Sequence, residues 1–242
     1  MKSHLLPIEE RGRVRTEPKR YGTSVRGLPL EVWMPNSDAC DILLFAAIHG
    51  EEPETTALLS KALRSLAQPS ERCAVVLNAN PDGVLLGTRG NARGVELNRN
   101  FPSESWQSDP VKTRWSPRGE RVAFSTGEQA GSEPETQSLI NLILRLRPRV
   151  VIALHSPLGC IDDPAMSPLG HWLSERTGLP LVPDIGYPTP GSFGTWAREH
   201  DVHAITYEFP GQSVSALQHV HLPIFIDLLF HGLDVLKDRR RA

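Results

Sequence analysis

The run Ile42-Leu43-Leu44-Phe45-Ala46-Ala47-Ile48, followed at once by His49-Gly50-Glu51-Glu52-Pro53, decides how this chain is read. Seven consecutive apolar residues between polar turns fit a strand buried in a sheet, and they are far too few to span a membrane. Pro53 suits the first turn of a helix, which Ala57, Leu58, Lys61, Ala62 and Leu66 continue. Outward from this centre the same alternation repeats. Residues 28–33 read as a short edge strand, with Pro29 at its start. Residues 73–79 read as a strand ended by the turn Asn80-Pro81-Asp82-Gly83. Ser132-Glu133-Pro134-Glu135 has the form of a capping box opening a helix through Leu139, Ile140, Ile143 and Leu146. Residues 149–155 and 203–209 are two further strands. Ser167-Pro168 opens a helix that Gly178 closes, and residues 215–237 form the last helix. Strands alternating with helices predict one α/β domain built on a largely parallel sheet.

The composition agrees. The chain has 242 residues, 39% hydrophobic and 22% charged, which is globular usage and excludes a coiled coil or a disordered chain. Twenty-six basic against 28 acidic side chains argue against a nucleic-acid partner. The three cysteines, Cys40, Cys73 and Cys160, share no close spacing and read as buried thiols of a reducing compartment. Residues 1–20 are polar and basic, lack an apolar export segment, and read as an arm preceding a domain over 21–242. A cytoplasmic location without membrane association is therefore expected. Residues 84–131 show little periodicity; within them, 103–131 carry Trp106 and Trp115 and are expected to wall a cleft.

In parallel sheets, sites gather at the carboxyl ends of strands. His49 and Glu52 follow one predicted strand, His155 ends another, and Glu208 lies in the last. An HxxE pair alone is weak evidence. A catalytic zinc, however, takes three protein ligands and keeps one position open, and two close ligands followed by a distant histidine make a His2Glu set. His49, Glu52 and His155 are the candidate ligands for one zinc ion.

Five segments then match in order: His49-Gly50-Glu51-Glu52, Asn80-Pro81-Asp82-Gly83, Glu96-Leu97-Asn98-Arg99-Asn100-Phe101, Leu154-His155-Ser156 and Thr206-Tyr207-Glu208-Phe209. With Tyr21-Gly22-Thr23-Ser24 ahead of them, they cover nearly the whole chain, which resembles the zinc metallocarboxypeptidases. The resemblance implies a mixed, mostly parallel sheet flanked by helices. It implies that Glu208 acts as general base and then general acid. Arg89 resembles the arginine that stabilises the oxyanion, with Arg93, four residues on, as the second candidate. Asn98 and Arg99 resemble the pair that grips a terminal carboxylate, and Tyr187 sits near the place of the substrate-capping tyrosine.

The pocket-floor position, just before the tryptophan of Gly191-Ser192-Phe193-Gly194-Thr195-Trp196, is Thr195, neither acidic nor aliphatic. A small polar floor suits a side chain bearing both an amine and a carboxylate, and Asp162 and Asp163 are candidates to meet that amine. The phrases LNRNFP, GSEPETQ, PGSFG and EFP resemble family members that recycle peptidoglycan. The implied substrate is the murein tripeptide L-alanyl-γ-D-glutamyl-meso-diaminopimelate, cleaved at its γ-D-glutamyl–diaminopimelate bond. Two rival readings are an N-acyl amino acid deacylase of the succinylglutamate desuccinylase or aspartoacylase type and a binding module that has lost catalysis. The NRNF and GSEPETQ segments speak against the first; the complete ligand set and Glu208 speak against the second.

Overall fold

The computed structural model describes residues 17–114 and 121–240. In chain order the elements are β1 (Lys19–Thr23), β2 (Pro29–Val32), β3 (Ile42–Phe45), α1 (Pro53–Leu63), β4 (Cys73–Val76), α2 (Pro81–Leu86), β5 (Val111–Arg114) and β6 (Arg121–Phe124). There follow α3 (Pro134–Leu146), β7 (Val150–His155), β8 (Leu158–Asp162), α4 (Pro168–Thr177), β9 (Leu181–Val182), α5 (Phe193–Glu199), β10 (Ala204–Pro210) and α6 (Val214–His231). Six strands form the central sheet in the order β4-β3-β7-β10-β8-β9. Every neighbouring pair is parallel except β10 with β8. The sheet is thus mixed and mostly parallel, as expected.

Strand alternation sorts the core into two layers. Ile42, Leu44, Ile152, Leu154, Ile161, Ile205 and Tyr207 point to one face, where Leu58 of α1, Leu173 of α4 and Leu228 of α6 cover them. Leu43, Phe45, Val151 and Ala153 point to the other face, under Leu139 and Leu142 of α3 and Phe193 and Trp196 of α5. Parity therefore puts His155, two residues beyond Ala153, on the α3/α5 face.

Several boundaries differ from the sequence expectation. β3 stops at Phe45 rather than Ile48, because Ala47 takes a φ of +53° and turns the chain off the sheet. Asn80-Pro81-Asp82-Gly83 is not a turn; Asn80 caps α2, its side chain accepting from Gly83 N. The capping box at 132–135 does not form. Glu133 is the N-cap residue of α3, and its carboxylate instead receives Asn91 Nδ2 at 2.7 Å and Ser132 Oγ at 2.7 Å.

Of the expected arm, residues 1–16 lie outside the described residues, whereas Lys19 and Arg20 already belong to β1. Trp115 also lies outside them. The stretch 84–131 is not all loop, since β5 and β6 form an antiparallel hairpin within it. The last helix ends at His231 and continues as a 3-10 segment, Gly232–Arg240. The stretch Val214–Lys237 is long and apolar enough to cross a membrane. Here Leu217, Ile224, Phe225, Leu228 and Leu229 of α6 are buried against the sheet and its helices.

Candidate active site

The turn at Ala47 delivers His49 and Glu52 to the end of β3. Ala47 N donates to Thr55 Oγ1 at 3.1 Å, tying the turn to the first turn of α1. Gly50 is required by close approach, for a Cβ there would sit 2.1 Å from the Gly83 carbonyl carbon. Asn80 braces the same loop, its Nδ2 donating to Ile48 O at 3.1 Å while its Oδ1 accepts from Gly83 N at 2.9 Å. The Asn-Pro-Asp-Gly segment is thus a buttress for the loop that carries His49. Asp82 fastens the buttress to the N-terminal hairpin, accepting from Ser24 Oγ at 2.9 Å and Arg26 N at 3.0 Å.

His155 ends β7, and Glu208 lies beside it in register on β10. One donor atom each from His49, Glu52 and His155 falls within 4.8 Å of the other two, and all three residues are buried. His49 Nδ1 lies 2.7 Å from Glu52 Oε1. His155 Nδ1 lies 3.2 Å from His49 Nδ1 and 3.3 Å from Glu52 Oε2.

These residues fit a divalent metal on two grounds. The donors, two imidazole nitrogens and a carboxylate, are those zinc prefers. The charge balance also fits: with Glu51, Glu52, Glu96 and Glu208 ionised against Arg89 and Arg99, two negative charges are left over. His49 and His155 act on the Glu52 carboxyl strongly enough to overcome its burial and hold it down at about 2.

Glu96 is the residue that sequence reasoning missed. It is fully buried, and its Oε1 lies 3.0 Å from His49 Nε2, 3.3 Å from Arg89 Nη2 and 3.7 Å from Arg99 Nη1. Glu96 can only accept, so it holds a proton on Nε2; with a metal bound, Nδ1, which here faces Glu52 Oε1, would be the nitrogen left to ligate it. Burial opposes the charge on Glu96, but Arg89, His49 and Arg99 outweigh it and keep the carboxyl far below its ordinary range. Glu96 opens the matching segment 96–101, but nothing in the pattern ties it to a histidine 47 residues earlier.

Arg89 also donates to Glu51 Oε1 at 3.1 Å and lies 3.6 Å from Glu52 Oε1, so it faces the ligand set. Arg93 does not; it is half-exposed and turns to Glu133 at 3.5 Å. Arg99 joins the same cluster through Glu96. Asn98 Oδ1 accepts from Phe193 N at 2.8 Å, which leaves its NH2 end as the donor side. Gly191 seats this strip: Phe101 N donates to Gly191 O at 2.9 Å, and a Cβ on Gly191 would lie 2.5 Å from Arg99 O.

Glu208 is almost fully buried and accepts from Leu158 N at 3.3 Å. Burial, partly offset by His155, raises its pKa. Tyr187 is 52% exposed, yet Glu208, Arg99 and Arg89 all act on its phenol, so it borders the site. Burial raises its pKa. Thr195 is committed locally: its hydroxyl donates to Thr189 O at 3.2 Å and lies 3.0 Å from Ser192 Oγ, the cap of α5. Trp106 Nε1 donates to Thr126 O at 3.3 Å. Asp163 does not serve the cleft: it is fully buried beneath α4, where Ser167 N, Ser167 Oγ, Ala165 N and His203 Nε2 surround it. Asp162, the last residue of β8, points to the opposite face of the sheet.

A family model described as zinc carboxypeptidase matches residues 8–161. The chain belongs to the zinc carboxypeptidase family and is a zinc metallohydrolase, which removes the inactive binding module from consideration. Within that family it is 43% identical over 236 residues to murein peptide amidase A of Escherichia coli K12, covering 96% of this chain and 97% of that protein. The Vibrio campbellii protein of the same name is 42% identical over 234 residues, covering 96% and 94%. Among solved structures, murein-tripeptide amidase MpaA from Escherichia coli O157 superposes with a TM-score of 0.87 at 43% identity, covering 93% of this chain and 97% of that one. Thrombin-activatable fibrinolysis inhibitor shares the fold, with a TM-score of 0.73 at 17% identity, over 95% of this chain and 74% of that one.

Proposed function

We propose that this protein hydrolyses the amide between γ-D-glutamate and meso-diaminopimelate in the murein tripeptide, freeing diaminopimelate during peptidoglycan recycling in the cytoplasm. The similarity to murein peptide amidase A, 43% over almost the full length of both chains, carries the reading. Three free, buried cysteines support the reducing compartment.

Zinc held by His49, Glu52 and His155 would supply Lewis acidity toward the scissile carbonyl and make a water more acidic. Glu208, beside His155, takes the proton of the attacking water and returns it to the leaving amine. Its raised pKa suits a group that must both accept and release a proton. Arg89, largely buried and ringed by carboxylates, faces the developing oxyanion. Arg99 and the NH2 end of Asn98 hold the terminal carboxylate, a match of planar fork to carboxylate. Tyr187 closes over the substrate from the rim.

The test is mass spectrometry of zinc-loaded protein incubated with the tripeptide, beside a chelator control and a Glu208→Gln control. Chelator-sensitive, Glu208-dependent release of free diaminopimelate is the expected result. No release from protein shown to hold one zinc would overturn the reading and turn attention to N-acyl amino acids.

A further inference from the structure

β8 runs antiparallel to β10, with Cys160 opposite Glu208 and Asp162 opposite Thr206. Directly opposed residues of an antiparallel pair share one face of the sheet. Ile161 and Tyr207 both lie in the core on the α1/α4/α6 face. Cys160, Asp162, Thr206 and Glu208 therefore line the other face, the one that carries the metal-ligand cluster. Asp162 stands one diagonal from Glu208, on the side of β9 and the loop that carries Tyr187.

The environment of Asp162 is unusual. Its Oδ1 is buried and has no hydrogen-bond partner. Among the described residues no lysine or arginine pairs with it. The charges that act on it are mostly negative, from Asp184, Glu208 and Asp163, with His155 opposing. Its neighbour Asp163 is fully satisfied by α4 and is needed there. A carboxylate kept on a substrate-facing wall, unpartnered and among like charges, costs stability unless a cation arrives to meet it.

We propose that Asp162 is a specificity-determining residue that receives an ammonium group on the side chain of the substrate's C-terminal residue. The inference rests on the tripeptide reading above and deepens it. Diaminopimelate presents such an ammonium at its far end, beside a second carboxylate. Aminopimelate has the same carbon chain and both carboxylates but lacks that amine. Asp162 would discriminate between them, and the same carboxylate would disfavour terminal residues with apolar side chains.

The test is steady-state kinetics of zinc-loaded wild type and Asp162→Asn on two tripeptides, one ending in meso-diaminopimelate and one in L-2-aminopimelate. Wild type should prefer the diaminopimelate peptide by at least roughly tenfold in kcat/KM, the range of a charged hydrogen bond. Asp162→Asn should lose about 10- to 100-fold on that peptide, mainly through KM, and change less than about threefold on the other. Zinc content should stay at one per chain and Tm should not fall, because an unpaired carboxylate has been removed. Asp162→Ser, run beside it, should show the same collapse of preference should the asparagine variant fold poorly. Equal losses on both peptides, or a preference that survives both substitutions, would overturn the proposal. Wild type that holds zinc and cleaves neither peptide would refute the tripeptide reading itself, and the proposal with it.

Discussion

Replacing Glu96 by Gln tests the metal centre without touching a ligand. The change preserves shape and can still accept from His49 Nε2, but it removes the charge that Arg89 and Arg99 share. Two effects should separate. First, zinc affinity should fall, because a neutral amide holds the His49 tautomer less firmly and makes the ring a weaker ligand. Partners of metal-bound histidines are worth about 10- to 100-fold in affinity, or about 1.4–2.7 kcal/mol. Second, the metal-free protein should lose stability, since Arg99 loses the one carboxylate it pairs with among the described residues. Breaking a buried pair costs about 3–5 kcal/mol. Arg89 keeps Glu51 and Glu52, so the lower end, about 3 kcal/mol, is expected. In a chain of this length that lowers the melting temperature by about 6–12 °C. Competition against a chromophoric chelator reads the first effect, and calorimetry of the metal-free protein reads the second. A variant that binds zinc within threefold of wild type and melts within about 2 °C of it would refute the role of Glu96.

Gly50→Ala should destabilise the protein by about 3 kcal/mol, the upper end for overpacking, because its Cβ meets backbone rather than a movable side chain; urea unfolding checks this, and a change under about 0.5 kcal/mol would show that the loop and its buttress separate freely. Glu208→Gln should keep zinc but lower kcat by at least about 100-fold on the tripeptide. The pH profile follows from the raised pKa of Glu208: a base works only when ionised, so activity is lost as pH falls through that raised value. The acid limb of kcat/KM should lie above the pH at which an exposed glutamate titrates, and a limb at or below it would contradict the assignment. Arg99→Lys should raise KM for the tripeptide about tenfold with kcat less affected, since an ammonium replaces one fork of a two-pronged grip but remains cationic; an unchanged KM would remove Arg99 from the carboxylate site.

Elements buried on both faces were legible from the sequence, and half-patterned ones were not. β3 and β7 are continuous apolar runs whose residues fill both core layers, so no alternative environment suits them. β8, Leu-Gly-Cys-Ile-Asp, sends Ile161 into one core layer while its other face borders the site. Its polarity reflects substrate-facing chemistry, which reads in the sequence as a loop. β1 is Lys-Arg-Tyr-Gly-Thr and forms because it pairs with β2, not because of its own pattern. The hairpin of β5 and β6 was hidden for a similar reason: its strands are paired by a backbone ladder, and in β6 only Phe124 is buried, too little for a periodic apolar signature.

The site divides along a similar line. His49, Glu52 and His155 could be read because each sits where an apolar strand gives out or a helix begins, and position alone aims such side chains at one spot. Glu96 could not be read, because its importance comes from contacts closed across the chain with His49, Arg89 and Arg99. The pair Asp162-Asp163 shows what is missing from a sequence even when the segment is flagged. Two identical side chains stand next to each other, and only strand parity tells them apart. Once β8 is known to pair with β10 at Asp162 and Thr206, one aspartate must face the helices and the other the cleft. The first finds four donors and becomes part of the scaffold. The second finds none, and an ionisable group that the fold leaves unsatisfied on the wall of a metal site is placed to be satisfied by what binds there.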